Sequence, residues 1–170
     1  MIDVVVDDLA SVTADAIVRP TTTRLTPTTP AGERLARAGG PAFAAASVAR
    51  TELAVGAAVV TAGGALPVEF VIHAIVASET VPVTATSLGR AWLSALERAK
   101  EWQFARVAVP PLHTGSAEFR LAAVAETMLG VLRAHQATGG HPTSISFVVE
   151  SEEERAVFSA AVQLSRVIPL

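Results

Sequence analysis

At 170 residues, 51% apolar and 17% charged, the chain is sized for one domain with a substantial core and is too apolar for a disordered segment. A net charge of −3 offers no basic surface to nucleic acid or an anionic membrane, and no apolar run approaches the ~20 residues of a membrane span. The absence of cysteine excludes disulfides, thiol catalysis and thiolate metal sites.

In chain order, Ile2 to Val6 is a short β-branched run stopped by Asp7-Asp8 and predicts a first strand. Met1-Ile2-Asp3-Val4 has no basic region before its apolar residues, so no signal peptide is expected and the expected location is cytoplasmic. Leu9 to Ala14 is a connector, and Asp15 to Val18 a buried second strand. Proline has no N–H and disfavours the α region for the residue before it. The strand is therefore expected to end near Arg19-Pro20, with Thr21, Thr22 and Thr23 emerging at its carboxyl edge, where ligands of open α/β sheets sit.

Thr26-Pro27-Thr28-Thr29 is irregular until Pro30 opens a helix, which stops at Gly39-Gly40; Pro41 reopens a helix to about Glu52. Gly56 to Thr61 and Glu69 to Val76 predict adjacent strands joined by a glycine-rich turn. Thr86 to Trp102 is the clearest helix, with Leu88, Trp92, Leu96 and Ala99 on one face. Ala105 to Val109 predicts a strand closed by Pro110-Pro111. A loop to Glu118, a helix from about Phe119 to His135, a strand Ser144 to Val149 and a helix Glu152 to Leu164 follow. Arg166 to Leu170 is read as a short terminal strand. Strands alternating with amphipathic helices argue for α/β architecture in a single domain, 1–170, with a sheet between helical layers. If the two proline-ended strands are parallel neighbours, their loops form one crevice.

With these elements placed, the sequence resembles a macro domain, the ADP-ribose-binding α/β module. The resemblance is carried by Asp8-Leu9, by Ala14-Asp15-Ala16-Ile17-Val18, by Gly56 to Pro67, by Val71-Ile72-His73-Ala74 and by Pro110 to Gly115. It implies a three-layer α/β/α sandwich with a central mixed sheet of about six strands. It also implies ligand contacts from Asp8 and Leu9, from Thr21, Thr22 and Thr23, and from Thr114, Gly115, Ser116, Ala117, Glu118 and Phe119. Asp8 matches the acid that accepts a hydrogen bond from the adenine amino group.

The ligand loops depart from the family pattern. Arg19-Pro20-Thr21-Thr22 stands where Asn-Ala-Ala-Asn is usual, so Thr22 replaces the asparagine that orients the distal ribose in active hydrolases. Pro27, Thr28, Thr29 and Pro30 replace a glycine-rich phosphate loop; prolines cannot donate, and threonines resist positive φ. Glu118 stands at a glycine position, where it is expected to strain the backbone and repel a diphosphate. The expectation is weak binding of ADP-ribose or a related nucleotide diphosphate, with no catalytic residue and hydrolase activity absent or very weak. The alternative is a degenerate scaffold acting through homo-oligomerisation or protein partners.

The same residues carry plainer readings. Asp8 also reads as a cap on the next turn, and the threonines as bonded to their own backbone. Arg19 and Arg24 fit either a phosphate or a salt bridge to Asp15 or Glu118. His73 reads as a satisfied core histidine, His113 as a loop-mouth residue, and His135 and His141 as surface. Trp92 and Trp102 read as core. The histidines and Glu152-Glu153-Glu154 do not make a metal site, and no cofactor is implied; the acidic run suits the first turn of a helix. The apolar composition leaves a subunit interface and a well-packed monomer as equal readings.

Overall fold

The computed structural model describes residues 1–167 of the chain. Strands β1 (Ile2–Val6), β2 (Ala16–Thr22), β3 (Ala58–Ala62), β4 (Phe70–Ala77), β5 (Arg106–Val109) and β6 (Ser144–Val149) form one sheet in the order β1-β6-β5-β2-β4-β3. All neighbours are parallel except β3, which runs antiparallel to β4 at the edge. Helices α1 (Pro30–Ala46), α2 (Ala85–Glu101), α3 (Leu121–Ala137) and α4 (Glu152–Val167) cover it.

Alternation along the strands sorts side chains to two faces. Val18, Ile72, Val107 and Phe147 pack under α2, α3 and α4, while Ile17, Val71, Ala108 and Val148 pack with Leu35 and Phe43 of α1 on the other side. This is the three-layer sandwich with a mixed six-stranded sheet. Helix α2 forms as its pattern requires: Thr84 and Ser87 make a reciprocal capping box, and Leu88, Trp92, Leu96 and Ala99 are buried along one stripe. The Trp92 indole N–H is satisfied by the Met128 carbonyl at 2.9 Å, which ties α2 to α3.

Gly40, at φ 69°, breaks α1 into two helical pieces, as the glycine pair before Pro41 predicts, but the second piece ends at Ala46 rather than Glu52. Gly64, also at positive φ, sits against this break: Ala65 N–H donates to the Gly39 carbonyl at 3.0 Å, joining the β3–β4 turn to α1.

Two boundaries differ from expectation in ways that bear on the site. Strand β2 does not stop at Arg19 but runs through Pro20 to Thr22. Its pairing with β5 ends at Ile17, whereas its pairing with β4 continues to Thr22. Within the sheet it is paired on one side only beyond Ile17, and a proline fits such a half-paired position. At the other end, Arg166 and Val167 continue α4 instead of opening a strand; the rest of that expected strand lies outside the described residues.

Candidate functional site

The carboxyl ends of the parallel strands meet at one edge of the sheet. There Asp7 and Leu9 follow β1, Pro110, Pro111 and Thr114 follow β5, and Val148 and Glu150 close β6, with Glu154 at the start of α4. Opposite them stand Thr29 and Ala31 at the start of α1. The exits of β2 and β5 thus face one another across a cleft, but its volume is only about 20 Å³.

Thr29 and Ala31 come close to Pro110, Pro111 and Thr114 across it, and before them the turn after β2 closes on itself. Thr22 N–H donates to the Thr26 carbonyl and Leu25 N–H to the Thr22 carbonyl, both at 2.9 Å, and Thr21 bridges Pro27. Leu25 adopts φ 63° to make this turn, at a position where a side chain is disfavoured. Thr29 then caps α1, its hydroxyl accepting from Gly32 N–H at 3.2 Å. Pro30 supplies no N–H, so the loop presents few donors to a phosphate.

The three threonines do not emerge together. Thr21 and Thr23 are buried. Thr23 Oγ1 donates to Glu52 Oε1 at 3.2 Å. Thr22, half-buried, pairs its hydroxyl with that of Thr26 and accepts from Arg24 N–H at 3.3 Å. Of the sequence-expected contacts, the cleft gathers Leu9 and Thr114. Asp8 lies in an adjoining open depression with Val6, Asp7, Arg34 and Glu150, where Arg34 and Glu150 form an ion pair. Asp8 Oδ1 accepts from Ala10 N–H at 3.0 Å and so caps the single 3-10 turn Leu9–Ser11, yet the side chain remains exposed.

The loop after β5 retains a glycine turn, with Gly115 at φ 91°. Ser116 N–H donates to the Phe119 carbonyl at 2.8 Å and Ser116 Oγ accepts from Phe119 N–H at 3.0 Å. Phe119 is buried and stacks on His113 at 5.6 Å between ring centroids, and partial burial holds the His113 pKa below its ordinary value. Ala117 and Glu118 are exposed. Glu118 does not adopt positive φ; among the described non-glycine residues only Leu25 and Gln103 do. The strain expected at Glu118 is therefore absent, and its charge is what remains.

Arg19 faces neither a phosphate loop nor an acid. It is 1% exposed, with Nε donating to His73 Nδ1 at 2.9 Å, Nη2 donating to the Leu25 carbonyl at 3.0 Å and the guanidinium 5.0 Å from the Phe43 ring centre. Asp15, the partner considered for it, instead accepts from Ala105 and Arg106 N–H, both at 2.8 Å. His73 is the satisfied core histidine expected. His135 is buried rather than on the surface, its Nε2 3.2 Å from the His141 carbonyl, and Trp102 is half exposed against Phe70 and Phe104 rather than in the core. Among the described residues, no three His, Asp or Glu side chains gather as metal ligands, and no helix is long and apolar enough to cross a membrane.

Sequence reasoning placed Thr29 in the phosphate loop but missed Ala31, Val148, Glu150 and Glu154, whose carboxyl pKa is pushed up by burial. Only the parallel pairing of β1 with β6 brings Glu150 beside Asp8, and no local signal reveals that pairing.

A sequence profile described as Macro domain matches residues 18–128. An uncharacterized protein of Mycobacterium tuberculosis is 30% identical over 156 residues, which is 92% of this chain but 43% of that protein, so the chain spans less than half the length of this relative. A macro domain-containing protein of Lactiplantibacillus plantarum is 31% identical over 95% of each chain. Among solved structures, a mutant Oceanobacillus iheyensis macrodomain with ADPR superposes with a TM-score of 0.80 at 22% identity, covering 95% of this chain and 91% of that one. The Trypanosoma brucei macrodomain in complex with ADP-ribose gives 0.79 at 20% identity, covering 95% and 68%.

Proposed function

The chain belongs to the macro-domain family, and on that footing we propose that it is a nucleotide-binding module that takes ADP-ribose, or a related nucleotide diphosphate, only weakly. The observation that carries this reading is the closed cleft. A site for a ligand of this size needs roughly 300 Å³ or more, and Thr29 and Ala31 against Pro110, Pro111 and Thr114 leave about 20 Å³. Binding must first part Thr29 and Ala31 from the loop after β5, and the free energy of that opening is subtracted from the affinity. The adenine end is better provided, because Asp8 and Leu9 border an open depression of about 410 Å³ and the cleft beside it. ADP-ribosyl hydrolysis is not expected, since the Thr22 hydroxyl is engaged with Thr26 and Arg24.

Titration calorimetry with ADP-ribose, ADP and NAD tests this. Saturable heat with ADP-ribose in the high-micromolar to millimolar range is expected. Submicromolar binding, or no heat at tens of millimolar, overturns it. The same closed cleft also supports the second reading, a scaffold that acts through self-association or protein partners. Under that reading, calorimetry is silent and sedimentation shows a concentration-dependent dimer.

A further inference from the structure

A cavity much larger than the cleft lies elsewhere in the fold. It lies on the α1 side, between the turn after β2, the end of α1 and the segment from Ser47 to Glu52, with a volume of about 550 Å³. It shares no lining residue with the cleft. Arg19 forms part of its wall, and Arg24 and Arg50 also line it; Glu52 is the single acid among its lining residues.

Two features of this wall are unexplained by folding alone. Arg19 makes no ion pair among the described residues, and its Nη1 is buried without a hydrogen-bond partner. Ser47 Oγ, on the same wall, is also buried and unpartnered. A buried guanidinium without a counter-charge is costly, and each orphaned donor adds to that cost. Burial lowers the Arg19 pKa only to about 10, so the group remains a cation at neutral pH. An anionic head group at this wall would bring the acceptor that these donors lack, and a guanidinium suits carboxylate or phosphate geometry. Part of the wall is apolar, with Leu25 and Phe43 buried and Val48 at the mouth.

We propose that this cavity is a second ligand site, distinct from the nucleotide cleft, which takes a small organic anion with one carboxylate or phosphate head held by Arg19 and Ser47 and an apolar body against Leu25 and Phe43. The family's ordinary asparagine is absent from position 19, so the charge belongs to this chain's own sequence.

The test is a titration of the whole chain at low salt, followed in ¹H–¹⁵N spectra that include the Arg19 Nε–Hε resonance. The probes are phenyl phosphate, benzoate and inorganic phosphate. Saturable shifts at Arg19 Nε–Hε and the Ser47 amide are expected with phenyl phosphate or benzoate, and weaker ones with inorganic phosphate; which aromatic probe binds tighter identifies the head group. Ser47→Ala should weaken binding by about two- to tenfold, the worth of one hydrogen bond, and Arg19→Met should abolish it. Ala44→Trp, on the exposed rim, should block the cavity without touching either donor. If Arg19→Met does not fold, Ser47→Ala and Ala44→Trp decide the matter. The proposal fails if no probe saturates at tens of millimolar, if shifts appear at residues 114–118 instead, or if Ser47→Ala and Ala44→Trp bind as the wild type does.

Discussion

Arg19 Nε donates to His73 Nδ1 at 2.9 Å, in the interior, between neighbouring strands at paired positions of the β2–β4 ladder. This bond fixes the imidazole tautomer: Nδ1 is the acceptor, so Nε2 carries the proton and donates to Thr61 Oγ1 at 2.7 Å. Phe43 lies against both partners, 5.0 Å from the guanidinium carbon and 5.9 Å from the imidazole centre.

The pair makes stability pH-dependent. Burial first, and the Arg19 charge second, lower the His73 pKa to about 3 from the usual 6.5. The unfolded chain takes up the proton before the folded one does, so the folded state loses stability as pH falls from about 6.5 towards 3. The stability from this residue is fully present above 6.5, and the slope between those limits is at most about 1.4 kcal/mol per pH unit. Urea unfolding at a series of pH values should show that slope reduced in His73→Gln. NMR titration should find His73 neutral down to pH 4; an imidazole titrating near 6 would show the burial assignment to be wrong.

The Gly64 contact with α1 yields a second expectation. A Cβ at Gly64 would lie 2.6 Å from the Gly39 carbonyl oxygen and 2.7 Å from Phe43 N, at φ +59°. Both atoms are backbone, and Gly39 itself has no room, since a Cβ there would meet Phe43 at 2.6 Å. Gly64→Ala should therefore cost about 2–4 kcal/mol, from overpacking plus left-handed strain. Chemical denaturation measures it; a change below about 0.5 kcal/mol, the size of an ordinary surface substitution, would contradict the packing described.

Thr22 bears on catalysis. Its hydroxyl is turned to Thr26 and to Arg24 N–H, and it is shorter than the amide it replaces. Lost positioning of substrate and water costs on the order of 10²-fold or more. A mono-ADP-ribosylated protein incubated with the chain should show no release above background. Clear turnover, abolished by Thr22→Ala, would overturn this.

The sheet was readable because the β-branched runs and the α2 stripe are local patterns, and strand β6 falls on Ser144–Val149 as expected. The course of β2 was not. Pro20 reads as a strand end, and only knowledge that β5 pairs no further than Ile17 shows why it is tolerated. Arg19 was misplaced for the same reason. An arginine beside three threonines reads as a partner for a phosphate or an acid, whereas the extended strand carries it inward to His73, a partner 54 residues away. Asp8 was legible as a cap on the next turn, and its side chain stays exposed.

Glu118 offers the sharpest test of how the cleft meets a phosphate. It is exposed on the loop after β5, in the stretch from Ser116 to Phe119 that closes on its own hydrogen bonds. Its backbone is unstrained, so replacing it relieves no conformational cost, and only its charge opposes an anion. A solvent-facing charge is screened, and its repulsion falls further as salt rises. Glu118→Gly should thus tighten ADP-ribose binding by about three- to tenfold at low salt, and the gain should shrink towards nothing near ~1 M salt, where the Debye length is about 3 Å. Pro27 and Pro30 remain without N–H groups on the facing side, and Thr29 still closes the cleft, so the variant stays weaker than micromolar. Calorimetry of both proteins at two salt concentrations separates the contributions. A gain that persists at high salt would point to an altered loop conformation instead of charge, and no gain at either would place Glu118 away from the diphosphate.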